Sequence, residues 1–259
     1  MQVNVQRLRE VLNHGIKLGI IDANPAEDLE VPALTLDDEN ASRRRRTDAA
    51  VWTFAQLQQF VRVADEDDLA VGWRLSSAGL RRSEVLGLDW TGVDLATGRI
   101  HIVQARPRHK VDRVKAKLSR GTIEIEKMMP GTLPLLKELW LQHGRPETNT
   151  VKFDREGIPY GGGHDHLVVL DAVGRPYDRD LYSRDFARIS HEAGVPRIKL
   201  HAIRHTIASE LHDRGVPPAT GAALLRHSVE THLRNYVQST SLHQQAAAAA
   251  FASAWVAES

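Results

Sequence analysis

Apolar residues recur at helical spacing along nearly the whole chain, with one short switch to period two, and this leaves few architectures open. Val5, Leu8, Val11, Leu12, Ile16 and Ile20 form one stripe, which predicts a helix over 5–21 that Asn24-Pro25 stops. Thr53-Phe54-Ala55-Gln56 has capping-box spacing and leads into Leu57, Phe60 and Val61, so a second helix starts there. Helical patterns continue over 69–77 and 83–88. Ile100-His101-Ile102-Val103 and Ile123-Glu124-Ile125 alternate instead, and read as two strands flanking a basic middle. Residues 133–142 look helical, 149–165 read as an irregular loop ending in Gly161-Gly162-Gly163, and Leu167-Val168-Val169-Leu170 reads as a strand. Helices are expected again over 179–193, 201–214, 218–225 and 230–238. The expected fold is mostly α with one small antiparallel β-sheet, an α+β arrangement.

The stretch 35–50 loses periodicity and is polar, with Asp37-Asp38-Glu39 followed by Arg43-Arg44-Arg45-Arg46, and it reads as a linker. The domain reading is therefore 1–34, linker 35–50, a main domain 51–240, and an Ala-rich tail helix 241–259. At 259 residues the chain is long enough to bury a core without cross-links, and it has no cysteine. Disulfide scaffolds, thiol catalysis and Cys-ligated metal sites are thereby excluded, and a reducing cytoplasm fits. The N-terminal residues lack the apolar run of a secretory signal, and the longest small, apolar stretch, 246–257, is too short to span a bilayer. A net charge of +1 does not by itself announce a nucleic-acid partner. Its distribution says more. Arg99, Arg106, Arg108, Lys110, Arg113, Lys115, Lys117 and Arg120 face only Asp112, a local charge of +7 that reads either as a flexible hairpin or as one lying along a DNA backbone.

Two segments could carry chemistry. In Ala78-Gly79-Leu80-Arg81-Arg82-Ser83-Glu84 an arginine sits at a turn between apolar helices, an expensive place for a charge without a task. His201-Ala202-Ile203-Arg204-His205 puts a histidine and an arginine on one helix face, and Leu225-Arg226-His227-Ser228 and Tyr236 follow. A guanidinium offers fixed, paired donors to phosphate oxygens, which a lysine cannot reproduce. His201 and His205 at i,i+4 could be a metal pair, but no Glu lies between them and Arg204 would repel a cation. His164-Asp165-His166 reads as a solvated turn rather than a metal site.

The ordered set resembles the tyrosine recombinase, or phage integrase, family from about Trp52 to Tyr236. The resemblance rests on AGLRRSEVLGLDW, KAKLSRGTI, GRPYDRD, HEAGVPRIKLHAIRHT, LLRHS, and a tyrosine nine residues past His227. It implies a catalytic-domain fold like that of type IB topoisomerases. It also implies a DNA-cleaving and rejoining enzyme, a site-specific recombinase or integrase of a phage or mobile element, working through a 3′-phosphotyrosyl intermediate. Arg81 and Arg204 match the two catalytic arginines, His201 and His227 the histidine positions, Lys115 (with Lys117 as rival) the hairpin lysine, and Tyr236 the nucleophile. Glu84 and His205 match supporting positions. Arg82, Arg106, Arg108, Lys110, Arg113, Lys117 and Arg120 would contact DNA. The resemblance implies no metal and no cofactor, a double-stranded DNA partner, and a homotetramer on DNA with the tail helix exchanged between subunits. A directionality factor, cytoplasmic location at the nucleoid and no membrane association complete the picture.

Residues 8–32 resemble the end of the family's N-terminal core-binding domain, so a truncated, DNA-binding but recombination-defective remnant is the alternative. A second departure is Arg226, where the family usually has glycine. If that turn needs positive φ, arginine there costs stability and threatens the placement of His227.

Overall fold

A computed structural model of the chain describes residues 2–29, 51–107, 111–113, 120–161 and 166–236. These fall in two units, residues 1–48 and 49–259. The expected linker 35–50 and tail 241–259 lie outside the described residues.

In the first unit, α1 (Gln2–Lys17) follows the apolar stripe but stops at Lys17 rather than at residue 21. Gly19 takes φ 67°, and the N–H groups of Leu18, Gly19 and Ile20 fold back on the carbonyls of His14, Ile16 and Gly15. The chain after the helix is then tied back to it. Arg9 donates to the carbonyls of Ala26 and Leu29, and Asn24 Nδ2 donates to Asn13 Oδ1 at 2.7 Å.

The second unit opens with α2 (Phe54–Ala64), and the capping box is present on both sides: Gln56 N–H to Thr53 Oγ1 at 3.2 Å, Thr53 N–H to Gln56 Oε1 at 2.9 Å. Its buried face, with α3 (Ala70–Ser77) and α7 (Arg179–Glu192), builds an aromatic core of Trp52, Phe60, Trp73, Tyr182 and Phe186. Trp73 stacks on Tyr182 with centroids 4.2 Å apart, and each ring finds a polar partner: Trp73 Nε1 on Asp67 at 2.9 Å, Tyr182 Oη on Ser76 at 2.9 Å. Burying each such ring contributes about 2 kcal/mol or more.

The short α4 (Arg82–Val85) and a 3₁₀ turn (Trp90–Gly92) lead into β1 (Val93–Asp94) and β2 (Arg99–Ile102). β5 (Gly121–Glu124) completes an antiparallel sheet in the order β1-β2-β5, with Ile100 opposite Ile123 and both buried. Between them β3 (Gln104–Ala105) pairs with β4 (Asp112–Arg113). Then come α5 (Ile125–Met128), α6 (Thr132–Gln142), β6 (Lys152–Phe153), β7 (Pro159–Tyr160), and after α7 the helices α8 (Ala202–Asp213), α9 (Pro218–Leu224) and α10 (Val229–Tyr236).

Three expectations need correction. Among the described residues there are three small sheets rather than one. The stretch 149–165, expected to be irregular, contains the β6–β7 hairpin. Residues 167–170 form no strand. They are a bent segment, buried at Leu167, Val168 and Val169 and held by isolated bridges at Leu167 and Leu170, with Val168 N–H on the Leu88 carbonyl and Asp89 Oδ2 accepting from His166 N–H. Continuous burial produced the apolar run there, and an apolar run alone cannot report whether a partner strand exists. Among the described residues no helix is long and apolar enough to cross a membrane.

Candidate active site

Arg81 caps the start of α4. Its backbone N–H reaches Glu84 Oε2 at 2.8 Å and its Nη1 reaches Glu84 Oε1 at 2.5 Å, the third-position carboxylate folding back on the helix start. Nη2 of Arg81 donates to the carbonyl of Arg226, in the turn between α9 and α10, at 3.0 Å. That turn does take positive φ, 52° at Arg226. Arginine there costs about 1 kcal/mol of backbone strain. Its side chain is nevertheless fixed rather than displaced: Nη2 lies 2.6 Å from Glu84 Oε2, with both side chains buried. Burial alone would raise the Glu84 carboxyl, but the guanidinium groups of Arg226 and Arg81 outweigh it and hold the pKa below its ordinary value.

Arg204, in the first turn of α8, is 2% exposed and donates to the carbonyls of Gly79 and Leu225. A guanidinium has only donors, so it is tolerated in such a place because acceptors surround it. Its Nη2 also lies 3.4 Å from Nδ1 of His227. Nδ1 must then be the lone-pair nitrogen, and His227 carries its proton on Nε2. Nε2 stands 3.0 Å from Nδ1 of His232, whose ring is buried against Gly221.

His201 stands at the N-cap position of α8 without a side-chain capping hydrogen bond and is exposed, with its ring edge-to-face on His205 at 5.7 Å. Partial burial of the ring, then the charges of Arg204, His205 and Arg81, push its pKa down to about 4, against a smaller opposing pull from Glu84. His227 falls to about 4 as well, through burial first and then Arg204, His232, Arg81 and His201. The two arginines and two histidines therefore lie within electrostatic reach of one another, and both imidazoles are neutral at pH 7. Beside them opens a cleft of about 580 Å³ lined by Arg81, Arg82, Arg179, Arg197, Lys199 and His201. Arg82 bonds Ser183 Oγ across it, and burial followed by the charge of Arg179 lowers its pKa.

Other expected residues fall elsewhere. Arg106 is a correction: it is buried, with Nε on the Leu86 carbonyl at 3.3 Å and Nη2 on the Tyr177 carbonyl, so it packs the hairpin base instead of presenting a charge to DNA. Arg113 pairs through its backbone with Gln104, and Arg120 sits half-buried just before β5. Arg108, Lys110, Lys115 and Lys117 lie outside the described residues. Tyr236 ends α10, one helix beyond His227, and its side chain lies outside what is described. Two of its rivals are unsuited to nucleophilic work. Burial pushes the Tyr182 phenol far up, and burial with the Asp185 hydrogen bond does the same at Tyr177. The third, Tyr160, is exposed in β7. Sequence reasoning missed His232, Arg179, Arg197 and Lys199. It noted Arg226 only as an anomaly, because helical spacing does not report contacts between distant turns.

Residues 51–243 match the model of the phage integrase family. The chain belongs to this family. A tyrosine recombinase XerC-like protein of Caldanaerobacter subterraneus subsp. tengcongensis is 31% identical over 155 residues, 58% of this chain and 40% of that protein. The tyrosine recombinase XerC of Mycobacterium leprae is 29% identical over 223 residues, 81% of this chain and 62% of that protein. The chain thus spans less than two thirds of these curated relatives. Among solved structures, the Tn1549 transposon integrase, bound to transposon right-end DNA, superposes with a TM-score of 0.64 at 19% identity, over 97% of this chain and 78% of that one. XerA recombinase gives 0.55 at 13% identity, over 92% and 72%. At such identities the likeness is one of fold, and this member of the phage integrase family shares the fold of those recombinases.

Proposed function

We propose that this chain is the catalytic part of a site-specific DNA recombinase, an integrase of phage or mobile-element origin. The observation that carries the reading is the convergence of Arg81, Arg204, His201 and His227 from three separate parts of the chain beside a cleft lined by Arg82, Arg179, Arg197 and Lys199. Such a site suits a phosphodiester. Arg81 and Arg204 would hold the nonbridging oxygens as charge builds in the transition state, and His227 Nε2–H would add a donor once released from His232. Neutral His201 would take the proton of the Tyr236 hydroxyl, whose oxygen attacks phosphorus. A 3′-phosphotyrosyl bond forms, the bond to the 5′ oxygen breaks, and Lys115 would protonate that leaving oxygen. Attack by a 5′-hydroxyl reverses the step and reseals the strand, so the bond energy is kept.

In this reading residues 1–34 belong to a core-binding domain and 241–259 to a tail exchanged between subunits of a tetramer on DNA. A lambda integrase tetramer bound to a Holliday junction supports such an assembly by likeness of fold. The protein would work in the cytoplasm at the nucleoid, with a directionality factor as a further partner. The test is covalent capture: incubation with a pool of randomised, nicked duplexes, then recovery of DNA in SDS-resistant adducts. The native chain is expected to yield adducts and Tyr236→Phe none. Adducts from Tyr236→Phe would remove Tyr236 from its role. Salt-dependent binding with no adduct from the native chain would favour a DNA-holding remnant.

A further inference from the structure

The turn before His227 combines three features that its backbone alone does not require. It places an arginine at φ 52°, buries the side chain, and leaves its Nε with no hydrogen-bond partner. A strained backbone and a buried, partly unpaired guanidinium both cost stability, so their coexistence calls for a compensating contact. That contact is Glu84. Arg226 Nη2 lies 2.6 Å from Oε2, Arg81 Nη1 lies 2.5 Å from Oε1, and the Arg81 backbone N–H also reaches Oε2. The Arg226 carbonyl receives Nη2 of Arg81 directly. Residue 226 therefore touches the Arg81 arrangement twice, once through its own carbonyl and once through the carboxylate. Space for the side chain comes from β5: a Cβ on Gly121 would stand 2.9 Å from Arg226 Cδ.

We propose that Arg226 is a positioning residue for Arg81: it fixes one oxygen of Glu84 so that the other holds the Arg81 guanidinium in a single orientation toward the phosphate site. This rests on the recombinase reading for its consequence in catalysis, but the arrangement itself is a property of the DNA-free protein. Arg81 uses one N–H on Glu84 and one on the Arg226 carbonyl, and its remaining N–H groups are offered in the plane those two contacts define. Without Arg226 the buried carboxylate keeps one guanidinium neighbour instead of two. The groups facing it would then be the charged Arg81 from the start of α4 and, more distantly, the titratable His201 from the start of α8. Protonation of Glu84 would then weaken its hold on Arg81, leaving the residue-226 carbonyl as the other anchor.

Arg226→Gly relieves the positive φ while removing the guanidinium, and Arg226→Lys keeps a charge without the fork. Carbon-13 NMR of the Glu84 carboxyl, without DNA, is expected to show a midpoint at least about one pH unit higher in Arg226→Gly, with Arg226→Lys between it and the native chain. Water exchange of the Arg81 guanidinium protons is expected to quicken alongside. In covalent capture on the nicked duplex pool, Arg226→Gly should form adducts about tenfold or more slowly with duplex affinity within about twofold, and Arg226→Lys should recover part of the rate. A Glu84 midpoint and Arg81 exchange unchanged in both variants overturn the proposal, as does a native adduct rate in Arg226→Gly. Should the native chain form no adduct, the recombinase reading fails, while the Glu84 titration still decides the positioning role.

Discussion

Histidines kept neutral by their surroundings tie the stability of this site to pH. Unfolded, His201 and His227 titrate near the ordinary value of about 6.5; folded, both sit at about 4. Between those values the unfolded chain binds more protons, so stability rises with pH there. Their contribution is full above about pH 6.5 and is lost as pH falls through 4. Urea midpoints measured from pH 7 to pH 4 should therefore drop less steeply for His227→Gln than for the native chain, and equal slopes would contradict the shift. At this scale the family resemblance singled out Arg81, Arg204, His201 and His227 by residue type and order, and the structure brings the four within electrostatic reach of one another. Arg226 was visible as a misfit but its partner was not, since Glu84 lies far away in sequence and the two meet only across packed elements.

The helix over 54–64 was legible because a local start signal is paired with an apolar face, as Thr53 with Gln56 and Leu57 with Phe60 show. The helices over 70–77 and 202–213 lack a side-chain cap and were legible from apolar spacing alone. The strands were harder. β6 and β7 are two residues each, too short for alternation to register, and 167–170 imitates a strand because Leu167, Val168 and Val169 are all buried. β5 carries a constraint that only its neighbour explains. Gly121 faces the aliphatic part of Arg226, whose far end is pinned on Glu84, so an added methyl cannot be accommodated by swinging the chain aside. Gly121→Ala is expected to lower stability by about 1–3 kcal/mol in thermal melts and to slow adduct formation although no charge is removed. Native stability and rate in that variant would mean the Arg226 side chain is not held.

For the molecule as a whole, charge distribution matters more than its sum. A net +1 conceals a hairpin region at +7 and a cleft where Arg179, Arg197 and Lys199 join Arg81 and Arg82. Arg197 and Lys199 are exposed, and each would meet a single backbone phosphate. Lys199→Ala is expected to weaken binding to duplexes of any sequence and to flatten the dependence of log K on log salt by about one. A slope equal to that of the native chain would place Lys199 off the DNA path. Burial of Arg106 shows why the hairpin could not be read charge by charge: a tally of basic residues does not separate a guanidinium that packs a turn from one that meets a phosphate.

The sequence by itself determined that the chain is mostly helical, and its ordered motifs carry the resemblance to the phage integrase family. Those properties depend on local spacing and on the order of residue types. Only the tertiary structure decided that Arg106 is internal, that His232 holds His227, and that the anomalous Arg226 secures Glu84 beside Arg81. The reason is physical. Burial, tautomer and charge pairing are set by which turns pack together, and that information is not carried by any one turn alone.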